Sequence, residues 1–322
     1  MAHQVQSRRR ASLATSLASA VALLLTGPMG RAAPVAADPV VAQQPQGKQC
    51  QRLNQSGRPD IQPAAIDWLE RCLLGLPTTK STYFNESGYS AKRQKLHDEI
   101  IRAALSGKPC VAMGAPVAIL TGGPPGAGKT TWLRRHISGS LLQSSYRIDA
   151  DEVREALPEY HGWNASSTQA EVRDIVAMQI EAITRPCRLN VIYDGTMTQA
   201  DRYEQLIGSL KQNGYQVFLV QILIPEPLSL QRVLERYQSS GRYVPRLIVK
   251  AFYQRGISVF RQLAPRANGS VQVDGLTGRV LWSQGDPLPG REVKPINPNH
   301  PPMGNQQRQP VIFGQSGAPE QR

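Results

Sequence analysis

Nowhere in its 322 residues does the chain carry an apolar run of the ~20 residues that a membrane-spanning helix requires. The run from Ala11 to Thr26 falls short and is rich in Ala, Ser and Thr, and no later stretch does better. Cleavage is therefore expected in place of a permanent helical anchor. Acidic residues are absent from positions 1–37, which open on Arg8, Arg9 and Arg10, pass through that apolar run and end on Ala32, Ala33, Ala36 and Ala37. This three-part layout predicts a secretory signal cleaved near Ala37, and hence an exported product, periplasmic or secreted. A misread start would leave the protein in the cytoplasm. There is no internal repeat, which excludes a solenoid.

Large apolar side chains are also sparse at the C-terminal end, where residues 291–322 are dense in Pro, Gln, Asn and Gly. Such a segment buries too little apolar surface to offset its ordering entropy and is predicted to be a disordered tail. Residues 38–60 have a similar composition and are read as a linker. The foldable part is then 61–290, one domain with a helical extension at 61–107. The net charge of +13 first suggests nucleic acid. Four arginines in 1–37 and a surplus of two positive charges in 291–322 leave +7 on residues 38–290. That is modest for a strand-tracking groove and suits an enzyme handling polyphosphates, so no specific nucleic acid is expected.

Helical spacing of apolar residues marks 63–76 and 89–107, then 166–185, 199–213, 227–240 and 245–263. Apolar runs predict strands at 116–122, 146–150, 190–195 and 216–224, with a weaker one at 270–274 and a terminal hairpin over 271–282. Strands alternating with amphipathic helices predict an α/β fold: a mostly parallel sheet covered by helices on both faces. Ligands of such sheets sit outside the carboxyl ends of the strands. The chemistry is therefore sought just after each strand.

After the first strand, Gly123, Gly128, Lys129 and Thr130 fit G-x-x-x-x-G-K-[ST] at a strand–helix junction. The run Gly123, Pro124, Pro125, Gly126, Ala127, Gly128, Lys129, Thr130 and Thr131 is predicted to cradle the phosphates of ATP with backbone N–H groups. Lys129 would reach the terminal phosphates and Thr130 would bind Mg²⁺. An incidental Gly-rich turn is the alternative. After the second strand, Asp149 and Asp151 lie two apart. Asp151 is either the base that deprotonates an acceptor hydroxyl or merely the cap of a helix starting at Glu152. Asp194 ends the third strand, as a metal-site carboxylate or as part of an Asp-Gly turn. Arg236 and Arg242 would diverge by about 240° on one continuous helix, but Ser239, Ser240 and Gly241 break it. They are either paired phosphoryl-binding arginines or a solvated basic face.

From Tyr89 to Tyr253 these residues resemble the zeta toxin P-loop kinases. The resemblance rests on "YSAKRQKLHDEII", "GGPPGAGKTT", "IDADEVREALPEY", "YDGTM" and "ERY…GR". It implies a P-loop kinase fold and transfer of the ATP γ-phosphoryl group to a hydroxyl of UDP-N-acetylglucosamine, with an antitoxin protein as partner. It also implies Asp151 as base, Lys129 and Thr130 serving ATP and Mg²⁺, Asp194 at the metal, and Arg236 and Arg242 on phosphate. Some members have Glu where this chain has Asp194, whose shorter side chain would act through water. Another small-molecule or polynucleotide 5′-kinase, or an exported non-catalytic nucleotide-binding protein, remains the alternative. Cys50, Cys72, Cys110 and Cys187 follow the predicted cleavage site, an even number suited to an oxidising compartment. Spacing alone does not choose among three pairings. In kinases of this type the first and third strands are neighbours, which pairs Cys110 with Cys187 and leaves Cys50 for Cys72.

Overall fold

A computed structural model describes residues 50–107 and 115–290. The predicted signal at 1–37, the first part of the linker, the tail at 291–322 and Cys110 lie outside the described residues. Six strands form one sheet: β1 (Val117–Gly122), β2 (Ser145–Asp149), β3 (Asn190–Asp194), β4 (Gln216–Leu223), β5 (Gly269–Asp274) and β6 (Val280–Gly285). Their order is β2-β3-β1-β4-β5-β6, parallel except for β6, which pairs antiparallel with β5. The fold is thus the expected α/β arrangement. The strand order brings the ends of β2, β3 and β1 side by side, with Asp149 and Asp194 register partners.

Strand periodicity of two sends alternate residues to opposite faces. Ala118 and Leu120 of β1 enter one core with Ile148, Val191, Tyr193 and Val217. Ile119 enters the other with Ile192, Phe218, Val220 and Ile222. The first face is covered by α2 (Ala91–Leu105), α5 (Ala165–Ala182) and α6 (Ala200–Gln212), and by a helical run over Arg246–Leu263 that passes through a π-turn at Phe252–Gly256. The second is covered by α3 (Lys129–His136), through Trp132 and Leu133. Both faces are covered, as near-continuous apolar strands require. Among the described residues no helix is long and apolar enough to cross a membrane.

The segment before β1 is pinned by charge rather than by apolar contact alone. Tyr89 donates to Asp174 (2.6 Å), and Arg93 and His97 both reach the fully buried Glu171 at 2.5 and 2.6 Å. Arg93 also makes a two-pronged contact with Glu159. Burial pushes the Glu171 carboxyl up, but these bonds outweigh it and hold it at about 2.

The extension differs from the composition-based reading at one place. Residues 50–60, expected as linker, form a defined turn in which Asn54 accepts backbone N–H bonds from Ser56 and Arg58 and Leu53 bridges Pro59. A disulfide supplies the constraint that composition does not. Cys50 is fully buried and joined to Cys72 on α1 (Pro63–Leu74), with Cα atoms 5.5 Å apart.

Candidate active site

The loop after β1 is shaped by glycines at positive φ. Gly123 (144°) approaches β4 so closely that a Cβ would lie 2.5 Å from the Ile222 carbonyl oxygen. Gly128 (78°) caps the N-terminus of α3. Two outside donors hold loop carbonyls outward: Ser229 Oγ bonds the Pro125 oxygen at 2.7 Å and Arg232 bonds the Gly126 oxygen at 2.8 Å. Both donors sit on α7 (Glu226–Ser240). With its carbonyls turned out, the loop presents a concavity at a helix N-terminus, the arrangement that binds phosphate.

A cavity of about 720 Å³ opens at this loop. Pro125, Gly126, Ala127, Gly128, Lys129 and Thr130 line it, whereas Gly123 and Pro124 are buried behind it and Thr131 is exposed off its wall. Asp151, Asp194, Arg236 and Arg242 also line it, so the structure gathers the sequence-selected side chains at one place. Its basic character exceeds what those residues alone suggest. Eight arginines and Lys129 line the wall against three aspartates, an excess that favours a polyanion.

Asp149, not Asp151, caps the helix after β2. Its Oδ1 accepts the Asp151 N–H at 2.9 Å and the helix α4 runs Ala150–Glu155. The Asp151 carboxylate is instead held between Arg242 and Arg154. Arg154 is itself buried, with bonds to Thr168 Oγ1 (3.2 Å) and Gln169 Oε1 (2.7 Å). Burial pushes the guanidinium groups of Arg154 and Arg242 below their usual range, which makes an anionic partner at Asp151 the more favourable. α7 ends at the left-handed Gly241 (φ 73°), the break that lets Arg242 turn to Asp151. Arg236 stays exposed on the wall and does not join that pair.

Asp194 accepts from Thr121 Oγ1 (3.0 Å) and lies 3.8 Å from the Lys129 ammonium. Sequence reasoning missed Arg147. One of its terminal nitrogens lies 3.1 Å from Thr130 Oγ1, 2.7 Å from Asp149 Oδ2 and 3.5 Å from Asp194 Oδ2. Burial and the neighbouring Asp194 charge push the Asp149 carboxyl up, while Arg147, Arg242 and Lys129 pull it down; burial and repulsion prevail. Three oxygens thus converge on one positive nitrogen, a hard-oxygen set of the kind that suits Mg²⁺. Among the described residues no group of three or more His, Cys, Asp or Glu is placed to hold a metal ion, and this set has two carboxylates and a hydroxyl. The signal for Arg147 was present, since residues 147 and 149 of one strand share a face. Arg154 could likewise be found at i+3 from Asp151 on a helix.

The sequence profile of the zeta toxin family matches residues 101–281, more than half of the chain. Toxin PezT of Streptococcus pneumoniae is 30% identical over 132 residues, which are 38% of this chain and 51% of that protein. The chain therefore spans about half the length of this curated relative. A solved structure from the PezAT toxin–antitoxin system of Streptococcus pneumoniae is 22% identical, covering 61% of this chain and 82% of its own at a TM-score of 0.49. The complex of AvrRxo1-ORF1 with AvrRxo1-ORF2 and ATP is 16% identical, covering 70% and 73% at a TM-score of 0.47. The profile match takes in the phosphate loop, Asp151, Asp194 and both arginines, and the chain belongs to the zeta toxin family.

Proposed function

We propose that the chain is an ATP-dependent phosphotransferase that moves the γ-phosphoryl group of ATP to a hydroxyl of a small anionic acceptor. The observation that carries this reading is the meeting, in one cavity, of a phosphate loop with a carboxylate held by Arg242. A loop alone would serve any nucleotide binder. A base and a cation beside it serve transfer.

In this reading the loop N–H groups and Lys129 bind the terminal phosphates and orient the γ-phosphorus toward Asp151. The acceptor hydroxyl donates to the Asp151 carboxylate in place of Arg242. Asp151 takes the hydroxyl proton as the oxygen bonds to phosphorus, and the bond to the ADP oxygen breaks with its electron pair leaving on ADP. Arg242, released from Asp151, and Arg236 on the wall stabilise charge on the transferring group, the role such cations have in phosphoryl transfer. Thr130 and Asp194, with Asp149, would hold Mg²⁺, which supplies positive charge to the phosphate oxygens. Arg147, whose terminal nitrogen gathers those three oxygens, would turn aside to admit it.

The charge of the acceptor follows from two further arginines of the cavity wall. Arg173 and Arg202 line the cavity, and the Arg173 guanidinium is held below its usual range by burial and then by the like charge of Arg202. An acceptor that brings a diphosphate would relieve that repulsion. UDP-N-acetylglucosamine, the acceptor the family resemblance implies, has this form. A protein antitoxin, the partner that the family resemblance implies, is part of the same proposal.

The test is ATP consumption by the full chain with UDP-N-acetylglucosamine, glycerol and a 5′-hydroxyl oligonucleotide offered separately. Stimulation by the sugar nucleotide alone is expected. Stimulation by the oligonucleotide alone would replace the acceptor, and nucleotide binding with no turnover under any condition would leave a non-catalytic binder.

A further inference from the structure

The segment Gly241–Pro245 carries Arg242 between the end of α7 and the helical run that begins at Arg246, and it has no regular structure of its own. Three backbone bonds touch it: the Gly241 N–H to the Tyr237 oxygen (2.8 Å), the Tyr243 N–H to the Gly162 oxygen (3.2 Å) and the Ile248 N–H to the Pro245 oxygen (2.9 Å). The rest of its anchorage comes from far away in the chain. Glu70 on α1 accepts the Tyr243 hydroxyl at 2.5 Å and the Arg246 N–H at 2.8 Å through one oxygen. Its other oxygen accepts the Arg246 guanidinium through Nε (3.0 Å) and Nη2 (2.7 Å), and Asp67 one turn earlier takes the same Nη2 at 2.5 Å. One carboxylate therefore fixes the residue just after Arg242 and the first residue of the helix beyond it.

The aromatic half of this anchor is buried. Tyr243 is fully buried among Ile66, Leu69 and Leu73 of α1, with Trp163 and Tyr237. The buried Cys50 belongs to the same cluster, and its disulfide to Cys72 staples the chain before α1 to that helix. Burial pushes the Glu70 carboxyl up, yet the bonds from Arg246 and Tyr243 outweigh it and leave it below its usual range. The carboxylate stays charged at neutral pH. All of α1 lies outside residues 101–281, the part matched by the family profile.

We propose that Glu70, on this disulfide-stapled helix, is a positioning residue that sets Arg242 against Asp151. It does not touch the reacting atoms; it fixes the backbone on either side of Arg242, and a displacement on the order of 1 Å at such a group costs about 10²-fold in rate. The inference rests on the phosphotransfer reading for its effect on rate, but not for its effect on the segment.

The test uses the full chain carrying Glu70→Ala or Glu70→Gln, each alone and combined with Arg242→Ala. Hydrogen exchange of residues 241–246 should speed by about tenfold or more in Glu70→Ala while residues 123–130 are unchanged. The kcat for ATP-dependent transfer should fall about 10- to 100-fold with the KM for ATP within about twofold. Glu70→Gln, which keeps an acceptor, should recover part of both. In the Arg242→Ala background Glu70→Ala should cost nothing further, because residues that act through one another are not additive. Unchanged exchange at 241–246, or an undiminished rate loss on top of Arg242→Ala, would overturn the proposal. If the parent protein turns over no ATP the phosphotransfer reading fails, and the exchange measurement alone decides whether Glu70 holds the segment.

Discussion

Replacing Asp151 by Asn removes a charge while keeping the volume and one hydrogen-bond acceptor. Asp151 lies between Arg242 and Arg154, so the substitution has a structural cost as well as a chemical one. Removing one partner of a fully buried ion pair costs ~3–5 kcal/mol, but the Asp151 side chain is 32% exposed and Arg154 keeps Thr168 and Gln169. A hydrogen bond to a charged group is worth ~1.5–3 kcal/mol, of which Asn retains a part, so the net loss should be about 1–2 kcal/mol. For a domain of this size that lowers Tm by roughly 2–8 °C. Loss of the proton acceptor should lower turnover by ~10²–10⁴-fold. The two effects separate cleanly at 25 °C, where the variant remains folded. Initial ADP release with saturating acceptor, a thermal melt and ATP binding should be measured on one preparation. Turnover within about tenfold of the parent, or a fall only in proportion to the unfolded fraction, would refute Asp151 as the base.

Lys129→Ala should abolish ATP turnover with little change in Tm, because the side chain faces the cavity rather than a core; turnover within about twofold of the parent would show that the loop is not the phosphate site. Glu171 supplies a pH test. Its folded value of about 2 lies below the ordinary 4.5, so its contribution to stability is complete above about pH 4.5 and is lost as the pH falls toward 2. Thermal melts should show this acid slope, and Glu171→Gln should flatten it; an equal slope in both proteins would assign it elsewhere. Export and the cysteines are tested together by non-reducing peptide mapping of protein from its native host. A Cys110–Cys187 link, a Cys50–Cys72 link and an N-terminus near residue 38 are expected, whereas four free thiols with an intact Met1 would contradict export.

The sheet was legible because each strand is a short apolar run ending in a turn residue, and its helices because their apolar spacing is clear. Strand ends shifted by a residue or so, as at 145–149 rather than 146–150. That small shift decides the cap: either aspartate of the Asp-x-Asp can cap a helix, and only the observed start at Ala150 assigns the task to Asp149. Local pattern also carried Arg147 beside Asp149 and Arg154 beside Asp151, although neither was drawn from it. The supports of the site are another matter. Ser229 reaches Pro125 across 104 positions, and Glu70 reaches Arg246 across 176. No periodicity or motif spans such distances, so the groups that shape the loop and hold Arg242 became visible only in three dimensions. The order of residues 50–60 was missed for a different reason, because the expected Cys50–Cys72 link was not carried into the reading of the linker. Composition measures apolar surface, and there the constraint is a covalent bond.

Transfer of a phosphoryl group to an acceptor hydroxyl is measured most directly by the mass of the product. UDP-N-acetylglucosamine and ATP should be incubated with the full chain, and the nucleotides separated and weighed by mass spectrometry. A sugar nucleotide heavier by one phosphoryl group, formed in equal amount to ADP and absent with Lys129→Ala, is expected. ADP accumulating while the acceptor keeps its mass would mean that water is the acceptor, and would contradict that transfer.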